Sequence, residues 1–425
     1  MASSSDKSNK ALHILNAVQS VESIVRNINN KSVTDVKSDR LPIELGISKT
    51  GTDDRLAFLK DEMNMEFPLL SGKEPFSDLS RLDGNIENYI GMSQIPTGVI
   101  GPVRVIGSAA KGDYFVPLAT SEGALVASYH RGAKACLLAG GATSVCLVEG
   151  VQRSPLFKFK DLGELGLFVA WILPMLETFQ AITEKTSRFA KLVDMKSNIE
   201  GNHLILTFEF HTGDASGQNM VTLCTDEICH YIIENCPVKP TFWFIEGNYS
   251  GDKKATALSF TNVRGKKVTT EVTLPKAVVE SVLKTTPEAM TEYWRSSTIG
   301  IIQSGAIGAH GHYANGLTAL FIATGQDAAC VAEAAIGITR MELTANGDLY
   351  CSVTLPNLIV GTVGGGTSLP TQRECLELMQ CYGEGNARKF AEICGAVVIA
   401  GELSIAAALS AGHFSSAHKK LGRRK

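Results

Sequence analysis

A few charged side chains of this 425-residue chain stand among small or apolar neighbours, where each could do acid–base or electrostatic chemistry. Glu122 lies in ATSEGALVAS, ahead of an Ala-rich run. Burial would raise its pKa and make it a proton donor; the plainer alternative is compensation of a helix dipole. Lys253 and Lys254 follow Asp252 in NYSGDKKATA. They read either as cations aimed at a developing negative charge or as a solvated turn. Asp327, in LFIATGQDAACVAEAA, needs a partner if it is buried there. His413 and His418 lie in SAGHFSSAHKK; an imidazole can protonate a leaving group near neutral pH, although a histidine in a tail is ordinarily just solvated.

Four glycine-rich loops accompany these groups: IGMSQIPTGVIGP, GDASGQN, SGAIGAHG and VGTVGGGT. Glycine admits positive φ and lets backbone N–H groups come close to a ligand, but a single loop of this kind is more often only a turn. No GxGxxG follows a strand, so the Rossmann fingerprint is absent.

Periodicity and punctuation give the elements that must hold these groups. Apolar spacing predicts a helix over Ala11–Asn27 and a helical region over Asp54–Met65. From Glu87, ENYIGMSQIPTGVIGPVRV predicts tight turns beside a short strand. Phe115–Leu118 reads as a strand, and Ser121 as the N-cap of a helix that carries Glu122 in its first turn and stops at Gly140–Gly141. Further on, the pattern predicts a helix over Glu177–Val193, a strand over His203–His211, a loop TGDASGQN that opens another helix, and a strand over Thr241–Ile245. This alternation predicts a small α/β unit inserted into a larger one. The run AEICGAVVIAGELSIAAALSAGHF reads as an almost fully buried helix.

Composition narrows the function classes. Apolar residues make up 44%, enough for a large core. The formal net charge is −3 and no long basic stripe occurs, which argues against nucleic acid, although Lys266–Lys267 and the basic C-terminus suit a phosphorylated small molecule. Ten cysteines without CxxC or zinc-finger spacing predict reduced, buried thiols in a cytoplasmic protein. The most apolar run, Leu165–Leu176, contains Pro174 and falls short of the roughly 20 residues of a membrane span, so no membrane association is expected.

Five motifs occur in order: ENYIGMSQIPTGVIGP, ATSEGALVAS, GNYSGDKK, HYANGLTALFIATGQDAA and VGTVGGGT. Together they resemble class I hydroxymethylglutaryl-CoA (HMG-CoA) reductase over roughly residues 87–423. The resemblance implies a mixed α+β and α/β fold, with a large domain around a central helix and an inserted small ferredoxin-like NADP-binding domain. With the changes of texture noted above, it gives a helical N-terminal region 1–86, a large CoA-thioester domain from 87–153 and 255–425, an inserted domain 154–244, and a connecting catalytic loop 245–254. It implies a homodimer or homotetramer with active sites between subunits, NADPH as cofactor, no metal, and HMG-CoA, mevalonate and CoA as the bound molecules. It also implies a catalytic set of Glu122, Lys253, Asp327 and His418, the later of the two tail histidines. Substrate and CoA contacts fall on Ser128, Arg131, Arg153, Asn248, Asp252, Lys254, His312 and Asn315. Nucleotide contacts fall on Ser187, Arg188 and Phe189, then on Asp214, Gly217 and Asn219, and finally on Val363, Gly364, Gly366 and Arg423.

The implied reaction takes a thioester to a primary alcohol in two reductions, each placing negative charge on a carbonyl oxygen. Lys253 suits that oxygen, Asp327 would hold the ammonium, Glu122 would donate a proton to the aldehyde oxygen, and His418 would protonate the departing thiolate. Some residues depart from the family pattern. Ser216 and Gln218 stand where methionine is usual, Glu246 replaces a small polar residue near the substrate, Phe414 replaces Leu or Met, and Arg424 stands where animal relatives carry a regulatory serine. Two alternatives stay open: a reductase of a related branched acyl-CoA, and a non-catalytic relative that binds CoA or nucleotide.

Overall fold

A computed structural model describes residues 20–33, 36–38, 41–43 and 47–412. Helix α1 (Val21–Asn29) starts at Ser20, whose hydroxyl accepts the Ser23 N–H; the earlier part of the predicted first helix lies outside the described residues. Helix α2 (Lys49–Met63) is capped in the same way by Ser48, and so begins ahead of the predicted Asp54. Strands β1 (Thr97–Gly107) and β2 (Lys111–Ala119) pair antiparallel. Helix α3 (Leu125–Leu138) follows, then β3 (Ala142–Arg153) and β4 (Leu156–Lys158). Next come α4 (Leu162–Ile172), α5 (Leu176–Thr186), β5 (Lys191–Glu200), β6 (His203–His211), α6 (Gln218–Asn235) and β7 (Phe242–Phe244). The remainder holds β8 (Gly265–Leu274), α7 (Pro287–Ser304), α8 (Tyr313–Thr324), the short α9 (Val331–Ala334), β9 (Ile338–Leu343), β10 (Leu349–Leu358), α10 (Pro370–Leu378) and α11 (Ala387–Ser410).

The strands form one mixed sheet ordered β7-β4-β6-β3-β8-β10-β9, with β1 parallel to β3 and β5 beside β6. Strand β3 serves two neighbours in turn: its first part pairs with β8, and its end, Val151–Arg153, pairs with β6. Arg153 therefore sits at the crossing between two cores. The larger core surrounds α11 and takes side chains from β1, β2, α3, β8, α8 and β10. The smaller is aromatic, built from Phe157, Phe159, Phe168, Phe179, Phe208 and Phe210. The mixed fold expected from the sequence is what the chain adopts. All ten cysteines are free and buried, and burial pushes thiols such as Cys136 and Cys381 up to about 12.

Two expected elements differ. The helix after β2 does not start at Ser121: the Thr120 hydroxyl accepts the Glu122 N–H, forming a turn, and Ala124 enters α3 with φ 71 and no side-chain cap. Glu122 therefore lies ahead of the helix and not in its first turn, and its carboxylate makes no cap hydrogen bond to α3. The helix predicted over Glu177–Val193 ends at Thr186, because Ser187 Oγ accepts the N–H groups of Phe189 and Ala190, and Lys191 onward joins β6 as a strand. By length and composition, two helical runs could cross a bilayer, Leu162–Thr186 and Ala387–Ser410. The second is the centre of the large core, and the first packs Leu165, Phe168, Ile172 and Phe179 into the small one.

Candidate active site

The turn after β7 builds one half of the site. Asn248, Gly251 and Lys253 all adopt positive φ, at 62°, 79° and 57°, so the chain folds back on itself within a few residues. The Lys253 ammonium meets Asp327 Oδ2 at 2.8 Å. Asp327 follows the end of α8 and caps a short turn through the Ala329 N–H at 3.0 Å. It is thus a cap between helices rather than part of either. The hydrogen bond to Asp327 raises the Lys253 pKa, so the ammonium stays charged. Burial pulls the Asp327 carboxyl up, but Lys253 and the Ala329 N–H outweigh it and hold it below its ordinary value.

Arg153, Asp252 and Lys254 adjoin this pair. Arg153 Nη1 donates to Asp252 Oδ2 at 3.1 Å and to Glu246 Oε2 at 3.3 Å. Lys254 Nζ donates to the Asp252 carbonyl at 2.8 Å. Asn248 is exposed. Glu246 also accepts from the Ser154 and Tyr249 N–H groups and from Ser250 Oγ, tying the turn together.

Glu122 and Asn315 form a separate pair. Asn315 Nδ2 lies 3.0 and 3.3 Å from the two Glu122 oxygens. Glu122 is exposed, so the burial expected of it is not supplied by this chain's described residues. His312, beside Asn315 at the start of α8, stacks on Tyr129 and bonds through Nδ1 to Glu402 Oε1 at 3.2 Å. Ser128 and Arg131 on α3 both grip Ser404 on α11: Ser128 Oγ at 2.8 Å, and Arg131 Nη2 to the Ser404 carbonyl at 2.7 Å. These residues gather around the N-terminal end of α8, whereas Asp327 lies just past its C-terminal end. From Asn315 to Thr324 the helix rises about 14 Å, and no hydrogen bond or ion pair joins the two groups among the described residues.

The nucleotide candidates fall in three places. The 212–217 loop lies against the 361–366 loop: Ala215 and Val363 form a parallel bridge, and Asp214 accepts from Gly385 N at 2.8 Å and Ala387 N at 3.0 Å. The Asp214 carboxylate is therefore spent on the start of α11. Gly217, at φ 80, leads into α6, which presents Asn219 in its first turn. Gly366 approaches Gly325 so closely that a Cβ would lie 2.6 Å from the Gly325 carbonyl oxygen, which brings the glycine loop beside the Asp327 segment. Gly364 is exposed at φ 72. Gln218 Nε2 contacts Cys330 Sγ at 2.9 Å. Exposed Arg188 lies over the Phe189 ring at 4.7 Å, next to Ser187. The first-turn amides of α6, two facing glycine-bearing loops and an exposed arginine fit a phosphorylated nucleotide. His418 and Arg423, with His413, Phe414 and Arg424, lie outside the described residues.

Sequence reasoning passed over Arg264, Glu333 and Glu402. Arg264 and Glu333 are fully buried and paired at 2.6 Å. Glu402, inside α11, accepts the Gly311 and His312 N–H groups and the Thr339 hydroxyl. Burial pulls the Glu402 carboxyl up, but His312, Thr339 and Gly311 outweigh it and hold it down. A carboxylate inside an otherwise apolar run was the available signal for Glu402 and Glu333.

The family model described as hydroxymethylglutaryl-coenzyme A reductase matches residues 51–423. A Pyrococcus horikoshii protein named 3-hydroxy-3-methylglutaryl-coenzyme A reductase is 46% identical over 346 residues, covering 80% of this chain and 84% of its own length. One of the same name from Methanocaldococcus jannaschii is 42% identical over 381 residues, covering 88% of this chain and 94% of itself. Among solved structures, a class II 3-hydroxy-3-methylglutaryl-CoA reductase from Streptococcus pneumoniae, bound to NADPH, superposes with a TM-score of 0.69 at 20% identity, covering 85% of this chain and 100% of that one. At that identity the likeness concerns the fold.

Proposed function

Because this chain belongs to the hydroxymethylglutaryl-coenzyme A reductase family, we propose that it reduces (S)-HMG-CoA to (R)-mevalonate with release of CoA, using two NADPH. The observation that carries this reading is the Lys253–Asp327 pair at 2.8 Å, set on a turn with left-handed backbone. A charged donor fixed before reaction is what a developing oxyanion requires. NADPH, when bound, supplies the hydride; the 212–219 and 361–366 loops and Arg188 would hold it. Lys253 stabilises the oxygen as charge builds on it, and Asp327 keeps the ammonium charged and aimed. Glu122, oriented by Asn315, gives its proton to the aldehyde oxygen. His418, by resemblance, protonates the departing thiolate. The five motifs favour the class I branch of the family, and the inserted 154–244 unit with its own aromatic core is read as the nucleotide domain.

The separation along α8 bears on assembly. Asn315, which orients Glu122, stands about 14 Å along α8 from the Thr324 end, beyond which Asp327 and Lys253 pair. A homo-oligomer in which two chains face each other would complete a site with one pair from each and bury Glu122 as general acid chemistry requires. The segment before β1 suits such a contact: Ile86, Ile90 and Met92 are exposed, Ile90 fully. The ten free, buried cysteines suit a reducing compartment, and we place the enzyme in the cytoplasm.

The test is loss of NADPH absorbance on adding HMG-CoA, with CoA thiol followed in parallel. Two NADPH consumed per thiol released is the expected result; no consumption would refute the reading. A second reading rests on Glu246, which already occupies Arg153. Turnover of a neutral branched acyl-CoA with HMG-CoA inert would favour it.

A further inference from the structure

One short segment grips Lys253 at both ends. Asp327 takes its ammonium at 2.8 Å, and further along the same segment Glu333 Oε1 accepts its backbone N–H at 3.1 Å. Lys253 has φ 57, a region that side chains of L residues rarely adopt and that persists only when the surroundings over-determine it. The surroundings form a closed ring. Arg264 Nε donates to Glu333 Oε2 at 2.6 Å, Arg264 Nη2 donates to Asp252 Oδ1 at 2.6 Å, and Asp252 is covalently joined to Lys253. The ring is anchored to the sheet: Arg264 Nη1 donates to the Gln152 carbonyl on β3, and the Arg264 N–H donates to Asn357 Oδ1 on β10, both at 2.8 Å. The Arg264 and Glu333 side chains are 1% and 0% exposed, so they reach the reaction only through Lys253.

We propose that Glu333 and Arg264 are positioning residues that lock the Lys253 backbone in its left-handed conformation, so that its ammonium meets both Asp327 and the reacting carbonyl oxygen. This rests on the reading of Lys253 as the oxyanion cation. The need follows from the side chain: lysine is a point charge on a flexible four-carbon stem, and a donor to an oxyanion acts only if it is in place beforehand. Asp327 fixes the head; without a second hold the backbone would relax to the right-handed region and swing the stem. The residue type follows as well. Two donors, the Lys253 N–H and the Arg264 Nε–H, converge on position 333, one on each oxygen, and only an acceptor-only carboxylate meets both. Glutamine has one acceptor oxygen and would turn its amide nitrogen toward one of the donors.

Glu333→Gln is therefore the discriminating variant. Its kcat is expected to fall at least tenfold with both HMG-CoA and free mevaldehyde, while KM for NADPH and for the thioester stays within about threefold, once rates are normalised to folded protein. The alkaline limb of the kcat profile should also move to lower pH, because a lysine drawn away from Asp327 loses the contact that raises its pKa. A general loss of folded protein lowers apparent kcat at unchanged KM, which the normalisation removes, and it leaves the alkaline limb in place. Arg264→Lys keeps a cation beside Glu333 but loses the fork to Asp252. It should behave alike, and it supplies the same two readouts if Glu333→Gln does not fold. Folded variants with wild-type kcat and an unmoved alkaline limb would overturn the positioning role. A fully active Lys253→Ala would instead overturn the assignment of Lys253, whatever the Glu333 variant does.

Discussion

Replacing Lys253 by alanine separates stability from catalysis. In the folded chain the ammonium pairs with Asp327 at 2.8 Å, with the two side chains 45% and 39% exposed. A pair that open is screened by water and worth about 0.2–1 kcal/mol of stability. Asp327 keeps the Ala329 N–H after the change, so no buried charge is stranded. For a chain of this size the melting midpoint should fall by no more than about 4 °C. Catalysis should respond on another scale. A preorganised donor to an oxyanion contributes about 2.7–4 kcal/mol, or about 10²–10³ in kcat. Both reductions build charge on an oxygen, so both should lose it. The assay is NADPH oxidation with HMG-CoA and, separately, with free mevaldehyde, alongside a thermal melt. Retention of more than about a tenth of wild-type activity on mevaldehyde, a loss of only about 1.4 kcal/mol, would refute the oxyanion role. A melt lowered by tens of degrees would refute the claim that the pair is nearly neutral for stability.

The same pair sets a pH dependence. The raised Lys253 pKa carries stability that is whole below the ordinary lysine value of about 10.4 and lost as pH rises through the raised value. The lowered Asp327 pKa carries stability present above the ordinary aspartate value of about 3.9 and lost as pH falls through the lowered value. The kcat profile should accordingly stay flat through the ordinary lysine range, and Asp327→Asn should bring its alkaline limb down; a limb unmoved in Asp327→Asn would count against the coupling. His418→Ala should slow HMG-CoA reduction by about 10²–10⁴ yet impair mevaldehyde reduction far less, since mevaldehyde has no thiolate to expel; equal losses, or the split appearing in His413→Ala, would reassign the histidine. Gly132→Ala would place a Cβ 1.8 Å from the Ala400 carbonyl oxygen, with backbone on both sides of the clash. It should cost about 3 kcal/mol or more, read by denaturant melting, and a variant as stable as wild type would contradict the α3–α11 packing.

What could be read along the chain was local chemistry. Lys253, Asp327 and Glu122 stood out as charges among small residues, and Lys253 and Asp327 do meet. The strand over His203–His211 and the buried helix followed from period and composition, and both form. The two helix boundaries that failed were decided by single hydroxyls: Thr120 turned the chain before α3, and Ser187 ended α5. Those hydrogen bonds compete with helix propagation at a cost too small for periodicity to register.

The long-range ties were hidden for a different reason. Glu392 and Glu402 sit within the run read as almost fully buried, and a buried carboxylate without partners is prohibitively costly. Their partners lie far away in sequence: Glu392 holds the Ala109 and Ala110 N–H groups at the β1–β2 turn, and Glu402 holds Gly311, His312 and Thr339. Neither glutamate accepts a side-chain hydrogen bond from a neighbour on its own helix, so nothing in the local pattern could name the partner. The burial itself, however, demands converging donors: Glu392 and Glu402 each take paired N–H groups from a tight loop together with a hydroxyl, and Glu333 takes an arginine and one N–H. Glu402 thereby ties the loop that delivers His312 and Asn315 to the central helix. Glu333 and Arg264 tie the turn that delivers Lys253 to the sheet. The Lys253 turn and the His312 loop are thus each fastened to the core by a buried carboxylate, and on the proposed assignment of Lys253 that fastening is what would hold the oxyanion donor in place before reaction.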